Sequence, residues 1–180
     1  MLHCMFRRSI PSFITGICLI AATSLLAQQP TSTSSAPAPD AQLRVLAPHH
    51  DPVTLSTSDL KAMPHLTVAI HNTHTNVDET YSGVRVADLL ARVGAPLGND
   101  LRGKALAQYI VATGSDGYQT VLALGEVDPG FHPGEVLVVD TMDGKSLDMH
   151  SGPLKLVVTE DKHPARSVRN LVQIELKAVQ

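Results

Sequence analysis

From residue 42 onward, apolar residues alternate with more polar ones through much of the chain, which is the spacing of half-buried strands. The clearest case is residues 65–71, where Leu66, Val68 and Ile70 mark one face for a core and the other face is free to line a cleft or meet solvent. Asp-Gly pairs at 116–117 and 143–144 lie between extended apolar runs and predict hairpins. Further strands are predicted over residues 43–45, 53–55, 109–113, 118–124, 136–141, 154–158 and 171–176.

Helical spacing predicts two short helices among these strands. Ser56 followed by Asp59 is a capping-box-like start, and Pro64 is expected to end that helix after about two turns. Residues 81–84 are expected to lead into a second helix that closes at Gly94. The apolar positions of this second helix are Val86, Leu89, Leu90 and Val93. The order of elements predicts a mixed, strand-rich α+β fold with a few short helices.

The first 27 residues predict a secretory signal peptide. Arg7 and Arg8 precede an apolar stretch over residues 10–27, and Ala27 is the expected last residue of the leader. An uncleaved membrane anchor is the alternative, although the stretch is marginal against the ~20 apolar residues that a spanning helix needs. We therefore expect a periplasmic or secreted protein with no stable membrane insertion after cleavage.

Cleavage of the leader would also remove both cysteines, Cys4 and Cys18, and leave a cysteine-free mature chain. Such a chain has no disulfide and no thiolate chemistry. Residues 28–41 are rich in Pro, Ser and Thr and predict a flexible linker. The folded domain is therefore expected over residues 42–180.

Composition narrows the range of partners. The 180 residues carry 14 Lys and Arg against 17 Asp and Glu, a net charge of −3, which is not the basic footprint of a nucleic-acid binder. Aromatic residues make up only 3% and tryptophan is absent, so stacking platforms for bases are nearly lacking and the core must be aliphatic. The length suits one globular domain.

Five short motifs, in their order and spacing, resemble the molybdopterin-binding domain of the sulfite oxidase-like oxidoreductases. The resemblance covers residues 43–176 and implies a mixed α+β fold around a pterin pocket, with oxidation or reduction at a molybdenum centre in full family members. The motifs are Leu55-Ser56 with Asp59-Leu60; Tyr81-Ser82-Gly83-Val84 with Asp88-Leu89-Leu90 and Gly94; Ser115-Asp116-Gly117-Tyr118; Asp143-Gly144-Lys145 with Gly152-Pro153-Leu154-Lys155-Leu156-Val157-Val158; and Pro164-Ala165-Arg166 with Val168-Arg169.

The same resemblance locates a departure from the family. Family enzymes hold molybdenum through a cysteine thiolate at the end of the strand that corresponds to residues 66–72, and His71 stands there in this chain. Imidazole is a neutral, harder ligand and does not reproduce the charge donation of a thiolate. The implied cofactor is therefore a molybdopterin-type pterin with an absent or atypical molybdenum centre.

Lys162, His163, Arg166 and Arg169 form a concentrated basic segment. Arginine forks and a lysine ammonium suit the phosphate of a pterin tail or another small anion, whereas a solvated loop is the alternative. Together with the positions that the resemblance places at the pocket, the predicted cofactor-binding residues are His71, Asp116, Tyr118, Lys162, Arg166 and Arg169.

Two of these predictions have specific alternatives. Asp116 suits a turn and Tyr118 a half-buried strand position, with no role in a pocket. His71 and His74 converge across a short turn and are the candidates for a metal site, with polar loop histidines as the alternative. No P-loop, dinucleotide fingerprint, HExxH or nucleophile-elbow motif occurs in the sequence.

The primary hypothesis is an exported molybdopterin-binding oxidoreductase-like domain protein whose molybdenum centre is absent or atypical. One alternative is a non-catalytic module that binds a small anionic ligand or a partner on the same scaffold. Another is a histidine-based metal binder. The sequence names neither a substrate nor a redox partner protein.

Overall fold

The computed structural model describes residues 40–72 and 75–179. The predicted leader, most of the predicted linker and the metal candidate His74 lie outside these residues. No helix in the described part of the chain is long and apolar enough to cross a membrane. The strands there are β1 (Gln42–Leu46), β2 (Val53–Ser56), β3 (Leu66–Asn72), β4 (Val77–Arg85), β5 (Gln108–Gly114), β6 (Gln119–Ala123), β7 (Val136–Met142), β8 (Lys145–Ser146), β9 (Lys155–Val158) and β10 (Leu171–Ala178).

The first sheet, sheet A, has the strand order β2-β1-β10-β5-β6. The last strand of the chain inserts between β1 and β5, where β10 runs parallel to β1 and antiparallel to β5. The predicted hairpin between β5 and β6 forms, with Ile110 opposite Leu122, and Gly117 supplies the positive φ of its turn. Sheet A therefore joins both ends of the domain.

The second sheet, sheet B, has the order β3-β4-β7-β8, and β9 also pairs with β7. The register between β4 and β7 shifts at Ser82 and Gly83. A Cβ atom on Gly83 would lie 2.2 Å from the carbonyl oxygen of Val138, so only glycine permits this close approach of the two backbones. The shift leaves Asp140 of β7 buried, with one carboxylate oxygen 3.3 Å from Nε2 of His65.

Apolar side chains on β7 and β9 point alternately to the two faces of sheet B, because successive side chains of a strand take opposite faces. Val136 and Val138 enter the main core between sheet B, sheet A and the helices. The opposite face carries a second, smaller apolar cluster whose buried members are Tyr81, Leu137, Val139 and Val157. Sheet B is thus covered on both faces, and the second cluster is the floor of the site described below.

Three short helices, α1 (Thr57–Lys61), α2 (Val86–Ala91) and α3 (Leu124–Val127), lie beside the sheets. The predicted capping box is confirmed, since the Ser56 hydroxyl accepts from the backbone N–H of Asp59 and the Asp59 carboxylate accepts from that of Ser56. Helix α1 ends before Pro64, after little more than one turn. Gly94, with φ of 69°, closes the turn after α2 as predicted.

One observed strand was not predicted. Residues 81–84 lead into α2 as expected, but they belong to β4, whose nine residues pair with β3 and β7. Pairing on both sides satisfies the backbone of this segment, which carries few apolar residues at its start. The predicted strand-rich α+β class is nevertheless confirmed by the architecture and by the structural comparison reported below.

Candidate functional site

A cleft of about 370 Å³ opens over the second apolar cluster of sheet B, within the size range of sites for small organic molecules. Its walls come from the ends of β3 and β7, from β4 and β9, and from two loops over residues 147–154 and 159–170. The floor is apolar and contains Ile70, Met142 and Val157. Polar side chains line the rim: His71, Asn72, Glu79, Asp148, His150, Ser151, Lys155, Asp161, Lys162, Ser167 and Arg169.

Three side chains of the cleft lining form a hydrogen-bonded row beside this floor. The Lys155 Nζ donates to the Tyr81 hydroxyl over 3.0 Å, and that hydroxyl donates to Glu79 Oε2 over 2.6 Å. The Lys155 Nζ also lies 4.7 Å from the centroid of the Tyr81 ring, within cation–π range. Strands β4 and β9 both flank β7, which brings the tyrosine and the lysine to the same face of sheet B.

Burial changes the acid–base properties of this row. Burial, followed by the hydrogen bond to Glu79, raises the pKa of Tyr81, so the phenol stays protonated at physiological pH. Burial lowers the pKa of the Lys155 amine, and the positive charge of Arg169 lowers it further, while Glu79 and Asp148 act in the opposite direction. The lysine is therefore more readily deprotonated than a solvated one.

Arg169 and His150 meet at the rim of the cleft. The Arg169 guanidinium donates to Nε2 of His150. Asn170, with φ of 48°, packs against Gly152, where a Cβ would lie 2.2 Å from the asparagine Oδ1. This contact joins the two loops and fixes the arginine beside the histidine.

The acidic residues of the cleft are already bonded within the protein, whereas its cations are not paired with them. Asp148 accepts from the backbone N–H of Ser151 at 2.7 Å, and this bond lowers its pKa. Throughout residues 40–72 and 75–179, no carboxylate forms an ion pair with Lys155, Lys162 or Arg169. The cationic side chains of the lining are thus outside any ion pair and are available to an anionic ligand, beside the carboxylates of Glu79, Asp148 and Asp161.

The structure brings three of the predicted cofactor-binding residues together: His71, Lys162 and Arg169 all line the cleft. It does not bring Asp116, Tyr118 or Arg166 to that lining. His71 is more than half exposed and its Nδ1 lies 2.7 Å from the Asp78 carboxylate.

Asp116 and Tyr118 lie in the exposed turn between β5 and β6. The Asp116 carboxylate accepts from the backbone N–H of Tyr118, as turn aspartates do. The Tyr118 hydroxyl donates to the carbonyl oxygen of Ala165 over 2.5 Å. Tyr118 therefore supports the loop over residues 159–170 from outside the cleft, and it precedes β6 instead of lying in it.

Arg166 is held by two carboxylates, one on its own loop and one on α3. Its guanidinium forms a two-pronged pair with Asp161 and a further bond of 2.7 Å to Glu126 of α3. These bonds, to Asp161 first and then to Glu126, raise its pKa. With its donors committed in this way, Arg166 anchors the loop that carries Lys162 and Arg169 instead of offering a free fork to a ligand.

The metal candidates gain no support from the geometry. Among the described residues, no group of three or more His, Asp or Glu side chains is arranged to hold a metal ion. His71 has one acidic neighbour at bonding distance, Asp78, and both side chains are largely exposed. Its predicted companion His74 is not among the described residues.

Sequence reasoning missed Lys155, Tyr81, Glu79 and His150 as cleft residues. Lys155 carries a signal in retrospect, since it is a charged residue at the start of an otherwise apolar strand. For the other three no local signal exists. They come together because β4 pairs with β7 and because the loops over residues 147–154 and 159–170, far from β4 in the sequence, pack over sheet B.

Both the sequence and the fold of this chain are similar to those of known proteins. The sequence matches the family model of the oxidoreductase molybdopterin binding domain over residues 30–180. No curated protein sequence was found to match the chain. Among solved structures, the fold is similar to that of the sulfane dehydrogenase SoxCD from Paracoccus pantotrophus, with a TM-score of 0.59 and 17% identity over 77% of this chain.

The chain spans 39% of the SoxCD chain that it matches. At 17% identity this likeness concerns the fold alone. The family match covers most of the chain and agrees with the resemblance carried by the sequence motifs, which is thereby confirmed. The chain belongs to the oxidoreductase molybdopterin binding domain family.

Proposed function

We propose that this protein binds an anionic, pterin-type ligand in the cleft of sheet B and holds it without a thiolate-ligated molybdenum. The observation that supports this most is the pair of cations Lys162 and Arg169, which line the cleft beside its apolar floor and form no ion pair with a carboxylate among the described residues. Unpaired cations around a cleft attract and orient an anion.

The donor groups of the cleft fit the organic part of a molybdopterin. Such a molecule has a flat ring and a phosphate tail, which need an apolar surface and cationic donors respectively. Met142 and Val157 supply the apolar surface, while Arg169 and Lys162 supply donors for the phosphate. The hydrogen bond to Glu79 restrains the Tyr81 ring, which lines the cleft and is a rigid contact surface for the ligand.

The same cleft does not fit the metal ligation that family enzymes use. Both cysteines of the sequence, Cys4 and Cys18, precede the matched domain, so the cleft contains no thiolate. His71 stands near the corresponding strand end, but its Nδ1 is engaged with Asp78 and no second nitrogen or sulfur ligand accompanies it in the described residues. We therefore derive no redox step, and the proposed role is binding and presentation of the ligand.

A charge-removal experiment tests this proposal. The variant Arg169→Gln is expected to weaken binding of neopterin monophosphate about tenfold, equivalent to ~1.4 kcal/mol, because it removes a cationic donor to phosphate. Arg44→Gln is the matched control, since Arg44 is an exposed arginine on β1 of sheet A. Fluorescence titration measures both affinities, and equal affinity in the two variants would refute a phosphate-binding role for Arg169.

We also propose that the chain is exported. Support comes from the basic pair Arg7-Arg8 before the apolar stretch over residues 10–27. Intact-mass measurement of the protein from the periplasm or medium is expected to show loss of the first 27 residues, whereas a full-length product in the membrane fraction would favour an uncleaved anchor.

A further inference from the structure

We infer that Lys155 is a nucleophilic amine that captures a small carbonyl compound carrying an anionic group, by forming an imine inside the cleft. The inference concerns the chemistry of one side chain and stands independently of pterin binding. Its basis is the position of Nζ, which is held in the cleft wall against a hydroxyl that is itself bonded to a carboxylate.

Imine formation requires an unprotonated primary amine that is accessible to the carbonyl carbon. Lys155 is half-buried, lines the cleft and has no carboxylate within ion-pair distance among the described residues. An ion pair would hold the amine in its charged form, and its absence leaves burial as the main influence. Burial lowers the pKa of the Lys155 amine accordingly, which raises the fraction of free amine near neutral pH.

The neighbouring hydroxyl and carboxylate provide a route for the protons. As the Nζ lone pair attacks the carbonyl carbon, the nitrogen gives a proton to the Tyr81 oxygen while Tyr81 passes its own proton to Glu79 over 2.6 Å. The carbonyl oxygen, now an alkoxide, takes a proton from solvent. The proton held by Glu79 then passes through Tyr81 to the resulting hydroxyl, which leaves as water, and the iminium nitrogen releases its remaining proton to solvent. Amine plus carbonyl compound thus yields imine plus water, and no oxidant or reductant is consumed.

The charges around the amine define the class of carbonyl compound. Arg169 and Lys162 line the same cleft as Lys155, so a substituent with negative charge is held while the carbonyl group reaches Nζ. The charged or titratable groups that influence the amine are Glu79 and Tyr81 on β4, with Asp148 and Arg169 on the two loops. An aldehyde or ketone with a phosphate or carboxylate group fits these requirements.

Pyridoxal 5′-phosphate, an aldehyde with a phosphate group, is a suitable probe for the full chain. We expect reductive trapping with borohydride, followed by peptide mapping, to label Lys155 about tenfold or more faster than Lys145, because anion binding raises the local concentration of the aldehyde. Lys145 is an exposed lysine of β8 and is an internal control in the same folded molecule. Pyridoxal without the phosphate is expected to lose most of this preference.

Two variants separate the nucleophile from its surroundings. Lys155→Arg introduces a positively charged side chain that cannot form an imine. We therefore expect it to abolish the fast phase of labelling, which is the phase assigned to Lys155, while labelling of Lys145 is unchanged. Tyr81→Phe removes the proton route and is expected to slow labelling of Lys155. Labelling of Lys155 at the rate of Lys145, or a fast phase that survives in Lys155→Arg, would overturn the inference, even if pterin binding were established.

Discussion

A lysine amine loses hydration when it is buried, and for Lys155 the charges of Glu79 and Asp148 offset that loss only in part. Its pKa in the folded protein lies below the unfolded value. For a base this means that folding disfavours the charged form, so stability falls as pH drops through the folded pKa. At neutral pH the residue therefore opposes folding, and a ligand-binding role gives a reason for its presence.

The first prediction concerns the cost of burying the Lys155 amine. Lys155→Met keeps the length of the side chain, removes the buried charge and is expected to raise the melting temperature by about 2 °C or more. Lys145→Met, at an exposed position, is expected to change it little. Differential scanning calorimetry at pH 7 compares the two, and a lower melting temperature for Lys155→Met would show that the amine stabilises the fold.

Arg166 supports the second prediction, which concerns pH. Burial alone would raise the pKa of Glu126, but the Arg166 hydrogen bond and the Ala123 N–H together lower it below its ordinary value of 4.5. A carboxyl group whose pKa is lowered by folding contributes stability above its unfolded pKa, and this contribution is lost as pH falls through the folded value.

Arg166→Met is accordingly expected to lose about 1 kcal/mol of stability at pH 7, a modest figure because the pair is partly exposed. The difference from the wild-type protein is expected to shrink as pH falls below 4.5. Urea unfolding across pH 3 to 7 measures it, with Arg102→Met, at an exposed arginine, as the control. A difference that stays constant over this pH range would exclude the Glu126 pair as its origin.

At the scale of elements, Gly83 controls how closely β4 approaches β7, and that approach builds the floor of the cleft. Gly83→Ala is expected to destabilise the protein by about 1–3 kcal/mol, because the added methyl group meets backbone that cannot rotate away. Gly125→Ala is the matched control, since its Cβ would meet only Phe131 at 4.0 Å. Denaturant unfolding compares them, and equal stability would mean that the strands separate freely.

Elements with local signals were predictable from the sequence. The capping box at Ser56 and Asp59 and the turn at Gly117 involve residues a few positions apart, so the sequence contains all the partners that they need. The hairpin at 143–144 formed for the same reason. Strand β4 forms a hairpin with the neighbouring β3 but was not recognised between residues 77 and 85. Its first residues are mostly polar and exposed, and its buried half pairs with β7 more than fifty residues later.

In the candidate site, too, features with a local signal were predictable and features that depend on distant residues were not. The basic segment over residues 162–169 was recognisable from composition, and two of its members, Lys162 and Arg169, reach the cleft. The different role of Arg166 depends on Asp161 in its own loop and on Glu126, which is 40 positions away. Spacing along the chain does not report such a contact, and a cation committed to carboxylates looks the same in sequence as one that is free.

For the whole molecule, the two-sheet architecture explains why one side of the domain is suited to binding. Sheet A and the helices enclose the main core, while the opposite face of sheet B keeps only a small apolar cluster under two loops. Side chains of a second sheet fill the space over one face of sheet B. The loops over the other face leave a cleft open. The fold thus positions Lys155 and Arg169 at the edge of an apolar floor.

The most direct test is to purify the protein from its own host and measure pterin and molybdenum in the same sample. Oxidised pterin is quantified by fluorescence and the metal by mass spectrometry. Because the cleft offers cationic donors but no thiolate, we predict approximately equimolar pterin and far less molybdenum. Molybdenum equimolar with the protein after dialysis, or protein that contains no pterin, would contradict the account.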